Sequence, residues 1–206
     1  MEFRTVANRA EVEIIEKRSR FLGACSPVKD ETDAIGFINS VKEKHRGASH
    51  NVYAYSLREN NIARFTDDGE PQGTAGLPVL DVIKKENLCD VCIVVTRYFG
   101  GTLLGTGGLV RAYSLAAKEA VNKARIITMR LCDVVRFECH YSLYNKVCAA
   151  LNNLNARQID TLFSETILIS ASVSTENTEQ LRNAIMELTS GKAYFVVTGT
   201  IFTGKE

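Results

Sequence analysis

Apolar positions along the first 130 residues follow two periods. In EVEIIEKRSRFLGACSPV, residues 11–28, they alternate, which predicts one or two strands, the second closed by Pro27. In DETDAIGFINSVKEKH the spacing changes to three and four. Ala34, Phe37, Ile38 and Val41 then share one helical face, and Asp30 stands as the N-cap. NVYAYSLR and IARF predict a hairpin turning at Glu59, Asn60 and Asn61. The polar stretch FTDDGEPQGTAGLPVLDVIKKEN reads as a loop running into a helix, with Thr74 as cap, Pro78 in the first turn and a stripe of Leu77, Leu80 and Ile83. VCIVVTRYF is apolar on both faces and β-branched, as a central strand is. LVRAYSLAAKEAVNKA puts Leu109, Val110, Tyr113, Ala116, Ala117, Ala120 and Val121 on one helical side.

Beyond residue 130 the pattern is simpler. LCDVVRFECH, YSLYNKVCAALNNL, ARQIDTLFS, TILISASVS, TEQLRNAIMELTS and AYFVVTGTIF spell βαββαβ, a ferredoxin-like order. The expected class is therefore α+β, with one domain over residues 1–128 and a second over 129–206. Composition agrees with a division, since eight of the 14 glycines lie between Gly69 and Gly108 and three beyond residue 130. Residues 1–130 carry 19 Lys/Arg against 16 Asp/Glu, and the remainder 6 against 8.

With 206 residues, 45% of them hydrophobic, the chain can bury an ordinary core, and its net charge of +1 supplies no global field for nucleic acid or membrane. Any such binding must come from a local patch. No apolar run is long enough to span a bilayer and the N-terminus is charged, so a cytoplasmic protein with no membrane partner is expected. Six cysteines fit a reducing compartment. Cys89 and Cys92, in what reads as one strand, point to opposite faces and are expected as core thiols, not metal ligands.

The chemistry gathers in TRYFGGTLLGTGGLVRAY, where Gly100, Gly101, Gly105, Gly107 and Gly108 stand between Arg97 and Arg111. Glycines before a helix open its amides to a phosphate. The named phosphate loops do not fit. Gly100 and Gly105 have the P-loop spacing, but Thr106 occupies the lysine position, and a dinucleotide fingerprint would need glycine at Val110. Arg111, Lys118 and Arg125, seven apart, extend a basic strip along the helix, and Tyr98 beside Arg97 offers a stacking surface. The carboxylates Asp67, Asp68 and Glu70 have three readings: turn formers and caps, acid–base or metal-binding groups, or counterions for Arg97 and Arg111. His45 and His50 flank Arg46 in a loop and His140 lies at a strand end, none with ligand spacing. No serine or cysteine sits in a nucleophile motif such as GxSxG. No catalytic residue, metal site or cofactor is assigned.

FTDDGEPQGTAGLPVL and VVTRYFGGTLLGTGGLVRAYSLAA closely resemble the signature of the YigZ/IMPACT family. The resembling positions are Asp67, Asp68, Gly69, Glu70, Pro71, Gly73, Thr74, Ala75, Gly76 and Pro78. To these the second block adds Arg97, Tyr98, Phe99, Gly100, Gly101, Leu104, Gly105, Gly107, Gly108, Leu109, Arg111, Ala112 and Tyr113. Many members have Glu where this chain has Asp67. The resemblance implies the two-domain plan of the bacterial members: a ribosomal-protein-like α/β domain like domain IV of elongation factor G, then a ferredoxin-like domain like its domain V. It also implies a link to translation and starvation. The eukaryotic relative restrains a starvation-responsive kinase of an initiation factor by competing for its activator, a partner that bacteria lack. The expected function is a non-enzymatic, translation-associated regulator that binds RNA, the ribosome or a translation-linked protein. Its expected ligand-binding residues are Asp67, Asp68, Glu70, Gly73, Thr74, Arg97, Tyr98, Gly100, Gly101, Gly105, Gly107, Gly108 and Arg111. A phosphate- or nucleotide-binding enzyme and a protein-binding adaptor are the alternatives.

Overall fold

A computed structural model describes residues 1–205. The elements run β1 (Glu2–Val6), β2 (Ala10–Glu16), β3 (Ser19–Pro27), α1 (Glu31–Lys44), β4 (His50–Leu57), β5 (Ile62–Thr66), α2 (Gly76–Lys85), β6 (Val91–Tyr98) and α3 (Thr106–Ala124). They continue with β7 (Ile126–Cys139), α4 (Tyr144–Asn153), β8 (Arg157–Phe163), β9 (Ile167–Ser174), α5 (Thr178–Leu188) and β10 (Phe195–Lys205). The chain divides into two compact units, Phe3–Thr128 and Met129 onward, the latter including Met1 and Glu2.

In the first unit the sheet order is β2-β3-β6-β4-β5, every neighbour antiparallel. The β-branched run of β6 is the central strand, as its pattern requires. Val91, Ile93 and Val95 pack in one core with Val79, Ile83, Leu109 and Tyr113 of α2 and α3. The alternate residues Cys92 and Val94 pack with Ala34, Phe37, Ile38 and Val41 of α1. Asp30 caps α1, its carboxylate accepting the Asp33 amide at 2.8 Å.

Helix α3 lies close to β3 because its buried side is built of alanine, at positions 112, 116, 117, 120 and 124. Gly23 matches it: a Cβ there would stand 2.4 Å from the Ala116 carbonyl oxygen.

Four details differ from the sequence pattern. Leu77, expected in the apolar stripe of α2, is 39% exposed, and Val79 and Val82 are buried with Leu80 and Ile83 instead. Val110 is 37% exposed and Ala112 takes the buried place, since α3 starts at Thr106 and its apolar stripe turns accordingly. Thr74 does not cap α2: the N-cap is Ala75, without a side-chain bond, while the Thr74 hydroxyl donates to the Pro71 carbonyl at 2.6 Å. Cys89 precedes β6 instead of lying in it, its amide donating to the Arg4 carbonyl of β1, a strand the pattern did not predict. Cys92 is a core thiol, and burial pushes the Cys25 thiol, on the neighbouring strand, up to about 12.

In the second unit β10 pairs with β7, which pairs with β9, which pairs with β8. With α4 and α5 as crossovers this is a split βαβ arrangement. Val135, Phe137 and Ile169 from the sheet meet Val147, Leu151, Leu181 and Ile185 from the two helices in one core.

Gly23→Ala is expected to destabilise the protein by about 1–3 kcal/mol, because a backbone carbonyl cannot yield as a side chain would. Urea unfolding followed by far-UV circular dichroism measures it; an unchanged midpoint would show that α3 can move off the strand.

Candidate functional site

The acidic loop between β5 and α2 is organised from within. Asp67 accepts the Gly73 amide on one oxygen (2.9 Å) and the Ala75 and Gly76 amides on the other (3.1 and 2.8 Å). It thus caps α2 from eight and nine residues away, in place of a local Ser or Thr. Asp68 accepts the Asn51 amide at 2.6 Å and lies 3.7 Å from Lys42. The Asp68 carbonyl receives the His50 Nδ1 proton at 2.8 Å, which fixes the ring tautomer, since a carbonyl only accepts.

Glu70 turns inward. Its Oε1 receives Arg97 Nη1 at 2.6 Å and the Tyr113 hydroxyl at 2.8 Å, and His50 Nε2 stands 3.8 Å away. Both members of the ion pair are sealed: Arg97 is 4% exposed and Glu70 8%. Period two explains the arginine's position. Arg97 follows Ile93 and Val95 on the β6 face that carries α2 and α3, so its guanidinium enters the core between the Phe21 and Phe99 rings, each 5.5 Å from it. Burial, then the neighbouring Glu70 carboxylate, pushes the Tyr113 phenol far above its usual value, so the hydroxyl remains a donor. Of the three readings of the acidic residues, the geometry gives Asp67 to the loop's own amides and Glu70 to Arg97.

Tyr98, one residue on, falls on the opposite face. Its hydroxyl bonds His45 Nδ1 at 3.0 Å and its ring lies under Arg20, 5.6 Å away. Sequence neighbours Arg97 and Tyr98 therefore serve different layers and do not share a surface.

The glycines have separate causes. Gly100 abuts the β2–β3 turn, where a Cβ would stand 2.1 Å from the Arg18 carbonyl, and its amide donates to Ser19 Oγ at 3.2 Å. Gly105 adopts φ +72° as N-cap of α3 and offers no capping side chain. The first helical bond runs from the Leu109 amide to the Gly105 carbonyl at 2.9 Å, which leaves the amides of Thr106, Gly107 and Gly108 without intrahelical partners. Arg111 leans over this turn, with Nη1 3.8 Å from where a Gly107 side chain would begin. It is exposed and forms no ion pair among the described residues. Buried Leu104 pins the loop to the core, while Leu103 (82%) and Phe99 (49%) project outward. Gly101 is exposed at φ +80°.

The geometry adds two residues that the motif reading passed over. Lys17 and Arg18 form the whole two-residue turn of the β2–β3 hairpin, both with positive φ (43° and 68°), the geometry of a type I′ turn that ordinarily takes Asn-Gly. Both are exposed and without an ion pair among the described residues, whereas Arg20 is bound by Glu13 at 2.6 Å and Arg46 by Glu43 at 2.6 Å. The run KRSR was the available signal.

Comparison with known proteins follows the same division. Residues 17–121 match the Impact N-terminal domain, and residues 137–192 match a domain of unknown function, DUF1949. The chain is 38% identical over 190 residues to the IMPACT family member YvyE of Bacillus subtilis, covering 92% of this chain and 88% of that one. It is 31% identical over 167 residues to the IMPACT family member YigZ of Escherichia coli, covering 78% and 81%. Against Protein IMPACT of Bos taurus the identity is 30% over 119 residues, 51% of this chain and 37% of the bovine one. A solved structure described only as "Crystal structure of an hypothetical protein" superposes with a TM-score of 0.62 at 25% identity, over 95% of this chain and 97% of that chain. Every residue of the candidate site lies within the first matched domain.

Glu70→Ala is expected to cost about 3–5 kcal/mol, since it strands a buried guanidinium. Tyr113→Phe should cost about 1.5–3 kcal/mol, the worth of a hydrogen bond to a charged group. Denaturant unfolding measures both, and an Arg97→Ala/Glu70→Ala pair whose losses simply add would show that the contact carries no coupling.

Proposed function

The chain belongs to the IMPACT family, and we propose that it is a translation-associated binding protein that contacts RNA, or a partner carried on the ribosome, without catalysing a reaction. The observation that carries this reading is a set of donors on one loop system: the free first-turn amides of α3 with Arg111 over them, and Lys17 with Arg18 packed against Gly100. Helix-terminal amides and unpaired cations both take phosphate oxygens, and the half-exposed Phe99, next to Gly100 in sequence, supplies a ring for a base.

Within this proposal the expected site residues divide. Gly105, Gly107, Gly108 and Arg111 would meet the ligand directly. Gly100 and Gly101 shape the loop. Glu70, Arg97, Asp67, Asp68, Gly73 and Thr74 build the wall behind it, and Tyr98 belongs to the α1 side. The enzyme alternative would need the loop carboxylates for a metal or a proton, and Asp67 and Glu70 are engaged with amides and a guanidinium. The likeness of the two units to domains IV and V of elongation factor G is part of the same proposal, as are the cytoplasmic setting and a stress-linked role. No helix among the described residues is long and apolar enough to cross a membrane.

Fluorescence anisotropy with a labelled single-stranded RNA tests the reading. Three phosphate contacts give a salt slope near −2 for single strands, so raising salt from about 50 to 200 mM should weaken binding about twentyfold. A Lys17→Ala/Arg18→Ala/Arg111→Ala variant should lose both the affinity and the slope while keeping its unfolding midpoint. No detectable binding at low salt, or binding that the triple variant leaves unchanged, sinks the proposal. Retention of a protein partner from nuclease-treated lysate, lost in Phe99→Ala/Leu103→Ala, would move the function to a protein-binding adaptor.

A further inference from the structure

An open β-sheet ends in strands whose outer backbone groups lack a neighbour, and folds ordinarily guard such edges with charges, bulges or a covering side chain. In the first unit the edges are β2 and β5. β2 is guarded: Glu11, Glu13 and Glu16 line it, and Lys123 Nζ from α3 donates to the Glu11 carbonyl at 2.9 Å. β8, an edge of the second unit's sheet, is interrupted by a register shift between Gln158 and Asp160. β5 has no such device. Its sequence, IARFT, contains no proline and no carboxylate, and its register with β4 runs unbroken from Ile62 opposite Leu57 to Thr66 opposite Tyr53.

Ala63, Arg64 and Phe65, the middle of that strand, are all exposed, and their backbone makes no bond outside the ladder among the described residues. Alternate residues of an antiparallel edge turn both N–H and C=O outward, so what they match is another extended backbone. The side chains specify its chemistry. Period two puts Ala63 and Phe65 on the α2 face of the sheet and Ile62, Arg64 and Thr66 on the α1 face. Phe65 is 45% exposed, yet its ring is braced at the start of α2, where a Cβ on Gly76 would stand 2.9 Å from Cδ2. Arg64, opposite Tyr55, forms no ion pair among the described residues; Glu31 of α1 is engaged instead by the Tyr55 hydroxyl at 2.5 Å.

A strand laid along β5 would gain from apolar side chains opposite Ala63 and Phe65 and from a carboxylate opposite Arg64, each a favourable cross-strand pair. A second copy of β5 fits worse, because antiparallel pairing centred on the strand sets two Arg64 guanidinium groups opposite each other. We propose that β5 is a docking edge for an extended segment of a partner protein in which apolar residues alternate with an acidic one, added as a sixth strand to the first unit's sheet. None of these residues belongs to the RNA-binding proposal, so the two can fail separately.

The full-length protein is titrated with the peptide acetyl-Thr-Val-Glu-Val-Thr-amide while backbone amides are followed by NMR, and a companion probe carries lysine in place of the glutamate. The glutamate probe should move the amides of residues 62–66 and bind about fivefold more tightly than the lysine probe. Arg64→Glu should reverse that order. Of two glutamate probes N-methylated on alternate amides, one should bind like the parent and the other should not, because only one set of amides faces β5. The Lys17→Ala/Arg18→Ala/Arg111→Ala variant should bind the probe unchanged. No shift at residues 62–66 with millimolar probe, equal affinity for the glutamate and lysine probes, or equal binding of the two methylated probes overturns the proposal. A dimer in sedimentation equilibrium that Phe65→Lys disperses would give the edge to a second copy and overturn it as well.

Discussion

The Glu70–Arg97 pair is the constraint on which the first unit is built. Taking both charges out of water costs several kcal/mol per ion, and the contact repays this only when geometry is tight and the remaining lone pairs are used. Here Tyr113 takes the second bond on the carboxylate, and aromatic rings flank the guanidinium. Such a pair adds little to net stability when whole but costs several kcal/mol when broken, and one carboxylate oxygen of Glu70 takes both Arg97 and Tyr113. It joins the β5–α2 loop, β6 and α3 at a single point. From there a weaker bond, Arg97 Nη2 to Ser19 Oγ at 3.4 Å, reaches the hydroxyl that also receives the Gly100 amide.

That chain of contacts separates support from surface. Residues that look alike in the sequence, three carboxylates and two arginines around a glycine loop, end in different states. Asp67 is consumed by backbone amides, Glu70 and Arg97 by each other, and Arg111 is left in solvent. The glycine segment divides in the same way. Gly100 exists because a neighbouring backbone passes too close for a side chain, and Gly105 because the helix must begin from a left-handed residue.

Much of this was legible in advance. The β-branched run named the central strand, the spacing of Ala34, Phe37, Ile38 and Val41 named the buried side of α1, and βαββαβ named the order of the second half. Period two along β6 also contained the fate of Arg97, since it sends that side chain the same way as Ile93 and Val95. What the pattern lacked was the partner. Nothing local says that Glu70, 27 positions earlier, will return to meet it, or that Asp67 will cap a helix that begins nine residues on. Non-local hydrogen bonds leave no period. For the same reason Lys17 and Arg18 are only two charges inside a run that reads as one or two strands, although both take the left-handed conformation and one packs against Gly100.

A net charge of +1 says little about whether such a protein meets an anion, because the relevant field is what remains after internal pairing. Buried pairs cancel at short range, and exposed pairs such as Arg20 with Glu13 nearly so. Lys17, Arg18 and Arg111 are among the first unit's cations that are left without an ion pair among the described residues, in the same unit as the dipole of the nineteen-residue helix. The fold buries one arginine with its counterion and leaves the next exposed above amides without intrahelical partners, which on the proposed reading is where an anion would approach. Glu70 already occupies the place that an outside anion would have to take at Arg97.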